Sequence, residues 1–205
     1  MAAALVMIEF QREWLDESNG KLDFLMKDRA QFKASVEGAR KALAAARGKG
    51  VKVIHVPCLF KPGYPEVGGG LEAGLFKAIP KSGTWITPMR DFQPGFEPRA
   101  GEFVVEGRIG ASAFAHSNLD MYCRSNGINE LYLAGYAMHV CVESTMRHGH
   151  DLGYTCRLLE DASSAFTAEQ RKHVIEHVVH HYGTHLNVDA FVDALNGRPV
   201  ATTAH

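Results

Sequence analysis

A cysteine, a glutamate and an arginine, far apart in the chain, are the residues that could do chemistry here. Cys141 stands where a loop becomes a helix, in the stretch GYAMHVCVEST that runs from Gly135 to Thr145. A cysteine at a helix N-terminus meets free backbone amides and the positive end of the dipole, which can draw its pKa down from about 8.5 and make it a nucleophile. The amides of the same loop are of the kind that receive the oxyanion of acyl transfer. Glu9 follows the first apolar run, and Arg108 follows residues 102–106. A carboxylate can take a thiol proton and later pass it to a leaving group; a guanidinium is too basic to shuttle protons but can hold a thiolate or oxyanion by charge. A plainer reading fits the same residues: a buried small thiol and an ion pair that ties the rim together.

The three side chains meet only if the elements place them on one edge. Residues 3–8 form an apolar run of strand length ending at Glu9, and Phe32, Val36, Ala39, Leu43 and Ala46 recur at helical spacing until Gly48 and Gly50. Residues 51–56 give a second strand closed by Pro57, so the chain opens strand, helix, strand, the order of a parallel crossover. Later come strands at 102–106, 131–134 and 154–159, with helices over about 119–126, 141–152 and 168–182 and a last short strand and helix at 186–195. This alternation predicts an α/β fold: a three-layer α/β/α, Rossmann-like single domain over 1–205, with a mostly parallel open sheet. Ligands of such sheets bind beyond the carboxyl ends of the strands, where Glu9, Arg108 and Cys141 all fall. Residues 57–101 break the rhythm with seven of the eight prolines and a triple glycine at 68–70. Their aromatics, Phe60, Tyr64, Phe76, Trp85, Phe92 and Phe96, point to an ordered segment covering a site or a subunit contact.

Composition narrows the function classes. The 205 residues are 46% hydrophobic and 22% charged, enough for a real core, and the formal net charge of -1 offers no field for nucleic acid or an anionic membrane. The longest near-apolar stretch, 51–60, contains Lys52 and His55 and is far shorter than the roughly 20 residues a bilayer crossing needs. The N-terminus lacks a basic region ahead of its apolar run, which points to a cytoplasmic protein. Cys58, Cys123, Cys141 and Cys156 form no C-x-x-C pair and are expected as free thiols. His177, His180 and His181 share a helix face at i, i+3 and i+4, but with no further ligand nearby they read as a solvated or subunit-facing edge. His148 and His150 cannot share a helix face and read the same way.

Four blocks of the sequence together resemble the isochorismatase-like cysteine hydrolases, which include isochorismatases, nicotinamidases and ureido or carbamoyl amidohydrolases. The blocks are ALVMIEFQ from Ala4 to Gln11, VVEGRIGASAF from Val104 to Phe114 with Asn118 and Leu119, LAG from Leu133 followed by CVEST from Cys141, and Gly153 with Tyr154 followed by LEDA from Leu159. The resemblance implies a catalytic Asp, Lys and Cys, and those positions hold Glu9, Arg108 and Cys141; two of the three are changed, with charge signs kept. It further implies a cis peptide at Tyr136–Ala137 and an oxyanion hole from the amides of Ala137 and Cys141. Substrate contacts are expected at Gln11, Phe114 and His139, the last for its place two residues before the cysteine. Nicotinamidases of the family carry an Asp-x-His metal motif after the second strand. Residues 55–64 here read HVPCLFKPGY, so no metal and no cofactor is expected. The expected function is a metal-independent cysteine hydrolase that attacks the C–N bond of an amide, ureide or carbamoyl group in a small organic substrate, working as a homodimer or homotetramer. Two alternatives stand beside it: an isochorismatase-type vinyl ether hydrolase, and an inactive family member kept as a binding or assembly subunit.

Overall fold

The computed structural model describes residues 2–68 and 72–199. Its centre is a sheet of six strands, all paired in parallel, in the order β3-β2-β1-β4-β5-β6. In chain order the elements are β1 (Ala2–Ile8), α1 (Arg12–Leu15), α2 (Arg29–Gly48), β2 (Lys52–Val56), α3 (Leu75–Ser82), β3 (Phe103–Val104), α4 (Leu119–Ser125), β4 (Ile128–Tyr136), α5 (Glu143–Asp151), β5 (Thr155–Ser164), α6 (Ala168–His173), α7 (Val179–Tyr182), β6 (Thr184–Leu186) and α8 (Val188–Leu195). The strand order reverses between β1 and β4, the place where an open α/β sheet leaves a crevice.

Alternation along β1 divides the core in two. Leu5 and Met7 point to the layer of α2 and α8, where Phe32, Ala39, Leu43 and Phe191 are buried with them. Ala4, Val6 and Ile8 point to the opposite layer, against Leu119, Cys123, Met146 and Val174. A strand apolar on both faces is therefore central, and a sheet covered on both faces can be parallel throughout. Helix α2 starts at Asp28, whose side chain accepts the Gln31 N–H at 3.2 Å. Gly135, φ +135°, has no room for a side chain: a Cβ there would lie 2.0 Å from the Ile8 carbonyl oxygen. It lets β1 and β4 close together at the reversal point.

Several boundaries differ from those the pattern predicts. Strands β4 and β5 run past 131–134 and 154–159, because residues flanking each apolar run still pair with the neighbouring strand. The strand expected at 102–106 shrinks to Phe103 and Val104, which alone pair with Ile54 and His55 at the sheet edge. Residues 57–101 contain a real helix, α3, although Pro80 lies within it. Pro80 falls near the last turn, where the missing N–H costs the helix little continuation. The helix expected over 168–182 is broken by a π-turn, Val174–Val178, and His177, His180 and His181 are exposed.

Candidate active site

Glu9, Arg108 and Cys141 come together at the carboxyl edge of β1, β3 and β4. Glu9 is the first residue after β1 and takes a left-handed conformation, φ 59°, with its N–H donated to the Val56 carbonyl at 2.9 Å. The turn swings its side chain out of the strand line and into the crevice. Arg108 donates from Nη2 to Glu9 Oε1 at 2.5 Å, and both side chains are almost wholly buried. The guanidinium is held in place by the loop that carries it: Nε donates to the Gly110 carbonyl at 3.1 Å and Nη2 also to that of Ala111 at 2.8 Å. Its Nη1 is buried with no partner. The other Glu9 oxygen, Oε2, accepts the Trp14 indole N–H at 3.0 Å, and the Cys141 thiol stands near enough for the same carboxylate to act on it.

Cys141 does not sit in a regular helix start. Met138–Val142 forms a π-turn that leads into α5, so the Ala137 carbonyl accepts from Val140 at 3.0 Å and Val142 at 3.3 Å and passes over the N–H of Cys141. The peptide Tyr136–Ala137 is cis, as the resemblance implies. Thr145 braces the turn, donating from Oγ1 to the Cys141 carbonyl at 2.6 Å and accepting the Ala113 N–H at 2.9 Å, which ties it to the arginine loop.

The electrostatics correct one expectation. Position at a helix start suggests a thiolate, yet burial and the Glu9 carboxylate push the Cys141 thiol well up, and Arg108 only partly opposes them. The direction is toward a neutral thiol at rest. Burial also works against the Arg108 charge, but the Glu9 carboxylate beside it outweighs burial and holds the guanidinium charged.

The three residues open on a cavity of about 250 Å³. Its walls are Trp14, Leu22 and Leu25 from the N-terminal segment, Ile109 to Ala111 beside the arginine, Ala137, Val140 and Phe166, and a cover of Leu75, Ala78, Ile79, Ser82, Thr84 and Trp85. The cover is drawn from residues 57–101, so that segment closes the site. Glu13, fully buried, fixes it there: Oε2 accepts the Trp85 N–H at 2.9 Å and Oε1 that of Lys21 at 3.0 Å.

The other residues singled out from the sequence do not line this cavity. Gln11 is fully buried and spends its amide on backbone: Oε1 accepts the Cys58 N–H at 2.7 Å, and Nε2 donates to the carbonyls of Cys58 at 2.9 Å and of Arg90. It fastens the start and end of the cover to β1. Phe114 stacks on Tyr154, with ring centroids 5.4 Å apart, and packs against His148 of α5. His139 packs edge-on behind Phe166 at 4.5 Å, and burial pushes its pKa down. Sequence reading missed Glu13 and Trp14. The signal for Trp14 was present, since a buried indole N–H needs an acceptor and Glu9 lies five residues away. Among the described residues, no group of three or more His, Cys, Asp or Glu side chains is placed to hold a metal.

The model of the Isochorismatase domain matches residues 3–190. The chain belongs to the isochorismatase family. It is 30% identical over 177 residues to the ureidoacrylate amidohydrolase RutB of Yersinia enterocolitica, covering 79% of this chain and 75% of that protein. To the enzyme of the same name from Pseudomonas savastanoi pv. phaseolicola it is 32% identical over 175 residues, 78% and 69% of the two chains. Among solved isochorismatase-family folds, a cysteine hydrolase from Pseudomonas syringae pv. phaseolicola superposes with a TM-score of 0.80 at 20% identity, over 95% of this chain and 92% of the other. The N-carbamoylsarcosine amidase of Thermoplasma acidophilum superposes at 0.66 and 22% identity, over 92% and 98%. The isochorismatase fold thus accounts for both the sheet and the crevice that holds the thiol. No helix of the described residues is long and apolar enough to cross a membrane.

Proposed function

We propose that this protein is a metal-independent cysteine hydrolase of C–N bonds in small amides, with Cys141 as nucleophile, Glu9 as general base and acid, and Arg108 as the fixed cation of the site. The observation that carries this reading is the shared carboxylate: one buried Glu9 accepts from the guanidinium and the Trp14 indole and lines the same cavity as the Cys141 thiol. When a substrate carbonyl lies over the thiol, Glu9 takes the Cys141 proton and the sulfur attacks the carbonyl carbon. The single negative charge moves from carboxylate to sulfur without leaving Arg108, so the transfer needs no new counter-charge. The carbonyl oxygen becomes an oxyanion facing the N–H groups of Ala137 and Cys141. Its collapse expels the amine, which leaves with the proton from Glu9, and a thioester remains. Glu9 then deprotonates a water that attacks the thioester, and the returning proton restores the thiol as the acid departs. A resting neutral thiol suits this sequence, because the nucleophile is formed only when a substrate is in place.

Supporting the absence of a metal from this scheme, residues 57–64 lack the Asp-x-His of nicotinamidases. The test is intact-mass spectrometry of the protein mixed with a panel of primary amides, ureides and carbamoyl compounds, with ammonia release followed in parallel. A transient acyl adduct that maps to Cys141, with no adduct and no ammonia from Cys141→Ala, is the expected result. Undiminished ammonia release by Cys141→Ala would overturn the assignment.

A further inference from the structure

The polar atoms of the cavity wall are nearly all spoken for. The Ser82 and Thr84 hydroxyls bond each other at 2.9 Å, and Ser82 Oγ also donates to the Ile79 carbonyl at 3.0 Å. The Trp14 indole N–H is given to Glu9, and the guanidinium has committed its Nε and Nη2. Arg108 Nη1 has no partner, but it is buried and offers the cavity no accessible surface. What the reaction scheme leaves for a ligand is the pair of N–H groups of Ala137 and Cys141, both of which line the cavity. The scheme therefore has room for one acceptor atom at one place.

Charge decides what kind of acceptor it is. Arg108 is the sole lysine or arginine lining the cavity among the described residues, and its charge is already matched by Glu9. A ligand carboxylate would bring a second anion beside Glu9, into walls of Trp14, Trp85, Ile79, Ile109, Val140 and Phe166. No cation is left to balance it, and an unpaired buried charge is strongly disfavoured. A carbonyl oxygen asks for one hydrogen bond and no counter-charge. Size sets the other bound: about 250 Å³ is on the order of eight waters of liquid volume, at roughly 30 Å³ each.

We infer that the cavity selects a small, uncharged carboxamide with an apolar acyl chain. The inference rests on the C–N hydrolase reading above and adds the substrate class. It also separates this chain from the relatives named for ureidoacrylate, whose acrylate part is a carboxylate.

The test uses an isosteric pair, 5-methylhexanamide and 5-amino-5-oxopentanoate, in which an isopropyl group stands where the second compound has a carboxylate. Trp14 and Trp85, the only two tryptophans of the chain, both line the cavity, so intrinsic fluorescence reports its occupancy. Binding is measured on Cys141→Ala, which cannot form a thioester, and ammonia release on the unaltered protein. The expected result is binding of the neutral amide at least about thirtyfold tighter than the acid, with ammonia released from the neutral amide alone. Tight binding of the neutral amide without ammonia release would uphold the ligand class and sink the hydrolase reading. Equal or tighter binding of the carboxylate would overturn the inference and leave the hydrolase reading standing. Binding of neither compound at millimolar concentration would overturn it as well.

Discussion

Two buried glutamates four residues apart, Glu9 and Glu13, show how one side chain type is put to different uses. Both are buried, at 2% and 0% exposure. Glu13 is satisfied entirely by backbone, one N–H to each oxygen, and both donors belong to segments that close the cavity. Glu9 is satisfied by side chains, a guanidinium and an indole, and stands beside a thiol with chemistry of its own. Backbone donors are fixed in position and cannot change protonation state, so Glu13 is suited to holding. Side-chain donors can exchange a proton, so Glu9 is suited to moving one. The environment, not the residue type, divides the labour.

The sharpest way to break that division is Glu9→Gln set beside Glu13→Gln. Removing the proton carrier should lower kcat by about a hundred- to ten-thousandfold, in the range general acid–base catalysis contributes. It also leaves Arg108 buried without its counter-charge, a loss of about 3–5 kcal/mol, so turnover must be normalised to folded protein by circular dichroism. Glu13→Gln should leave kcat within about twofold. Equal losses of kcat in the two variants would show that the glutamates are not divided in this way.

A finer cut keeps charge and changes only reach. Glu9→Asp withdraws the carboxylate by one methylene, more than 1 Å, where a catalytic set tolerates roughly half an ångström. Arg108→Lys replaces a fork bonded at Nε and Nη2 with a single point charge. Each change should cut kcat/KM by at least about tenfold, and the double variant should recover part of the loss, because each residue's length fits the other's. Simple additivity in the double-mutant cycle would mean that Glu9 and Arg108 act independently.

The thiol gives a third measure. Burial and Glu9 hold the Cys141 pKa up, so its alkylation by iodoacetamide should be slow near neutral pH and should rise as pH climbs above the ordinary thiol range. Glu9→Gln removes the like charge and leaves Arg108 to favour the thiolate. Labelling at pH 7 should then quicken by about tenfold, the effect of one pKa unit. Glu13→Gln should leave the rate as it was. Fast labelling of the unaltered protein at pH 7, mapped to Cys141, would show that the thiolate is the resting form.

Much of this arrangement can be read from the sequence, for physical reasons that also mark where reading stops. Leu5 to Ile8 announce a central strand because both faces of the sheet are covered, and a residue just past such a strand, Glu9, must lie at the ligand edge. Cys141 and Arg108 follow by the same rule. The rule does not predict how the rim is satisfied: Gln11 stands close to Glu9 in sequence, yet its amide is consumed by the Cys58 and Arg90 backbone. Nor could the helix-start argument foresee that burial outweighs the dipole at Cys141, since burial depends on a cover some sixty residues away. Prolines marked 57–101 as irregular but hid α3, whose Leu75, Ala78 and Ile79 form part of the cavity wall. Glu13 had no signal, because its partners are backbone N–H groups that any residue provides.

That last residue supplies the smallest expected effect and a direct test of the holding role. In Glu13→Gln, the side-chain oxygen still accepts one N–H, but the new NH₂ faces the other, either Lys21 or Trp85, and one buried donor loses its acceptor. The cost is about 1–3 kcal/mol. In a chain of this size, each kcal/mol lowers the melting temperature by about 2–4 °C. Because Trp85 belongs to the cover, loosening its N–H should let the cavity open more readily, weakening ligand binding before it touches chemistry. KM should therefore rise a few-fold while kcat holds, and the fluorescence of Trp85 should shift toward that of a more solvated indole. A drop in melting temperature without any change in KM would mean that Glu13 stabilises the fold but does not hold the cover over the thiol.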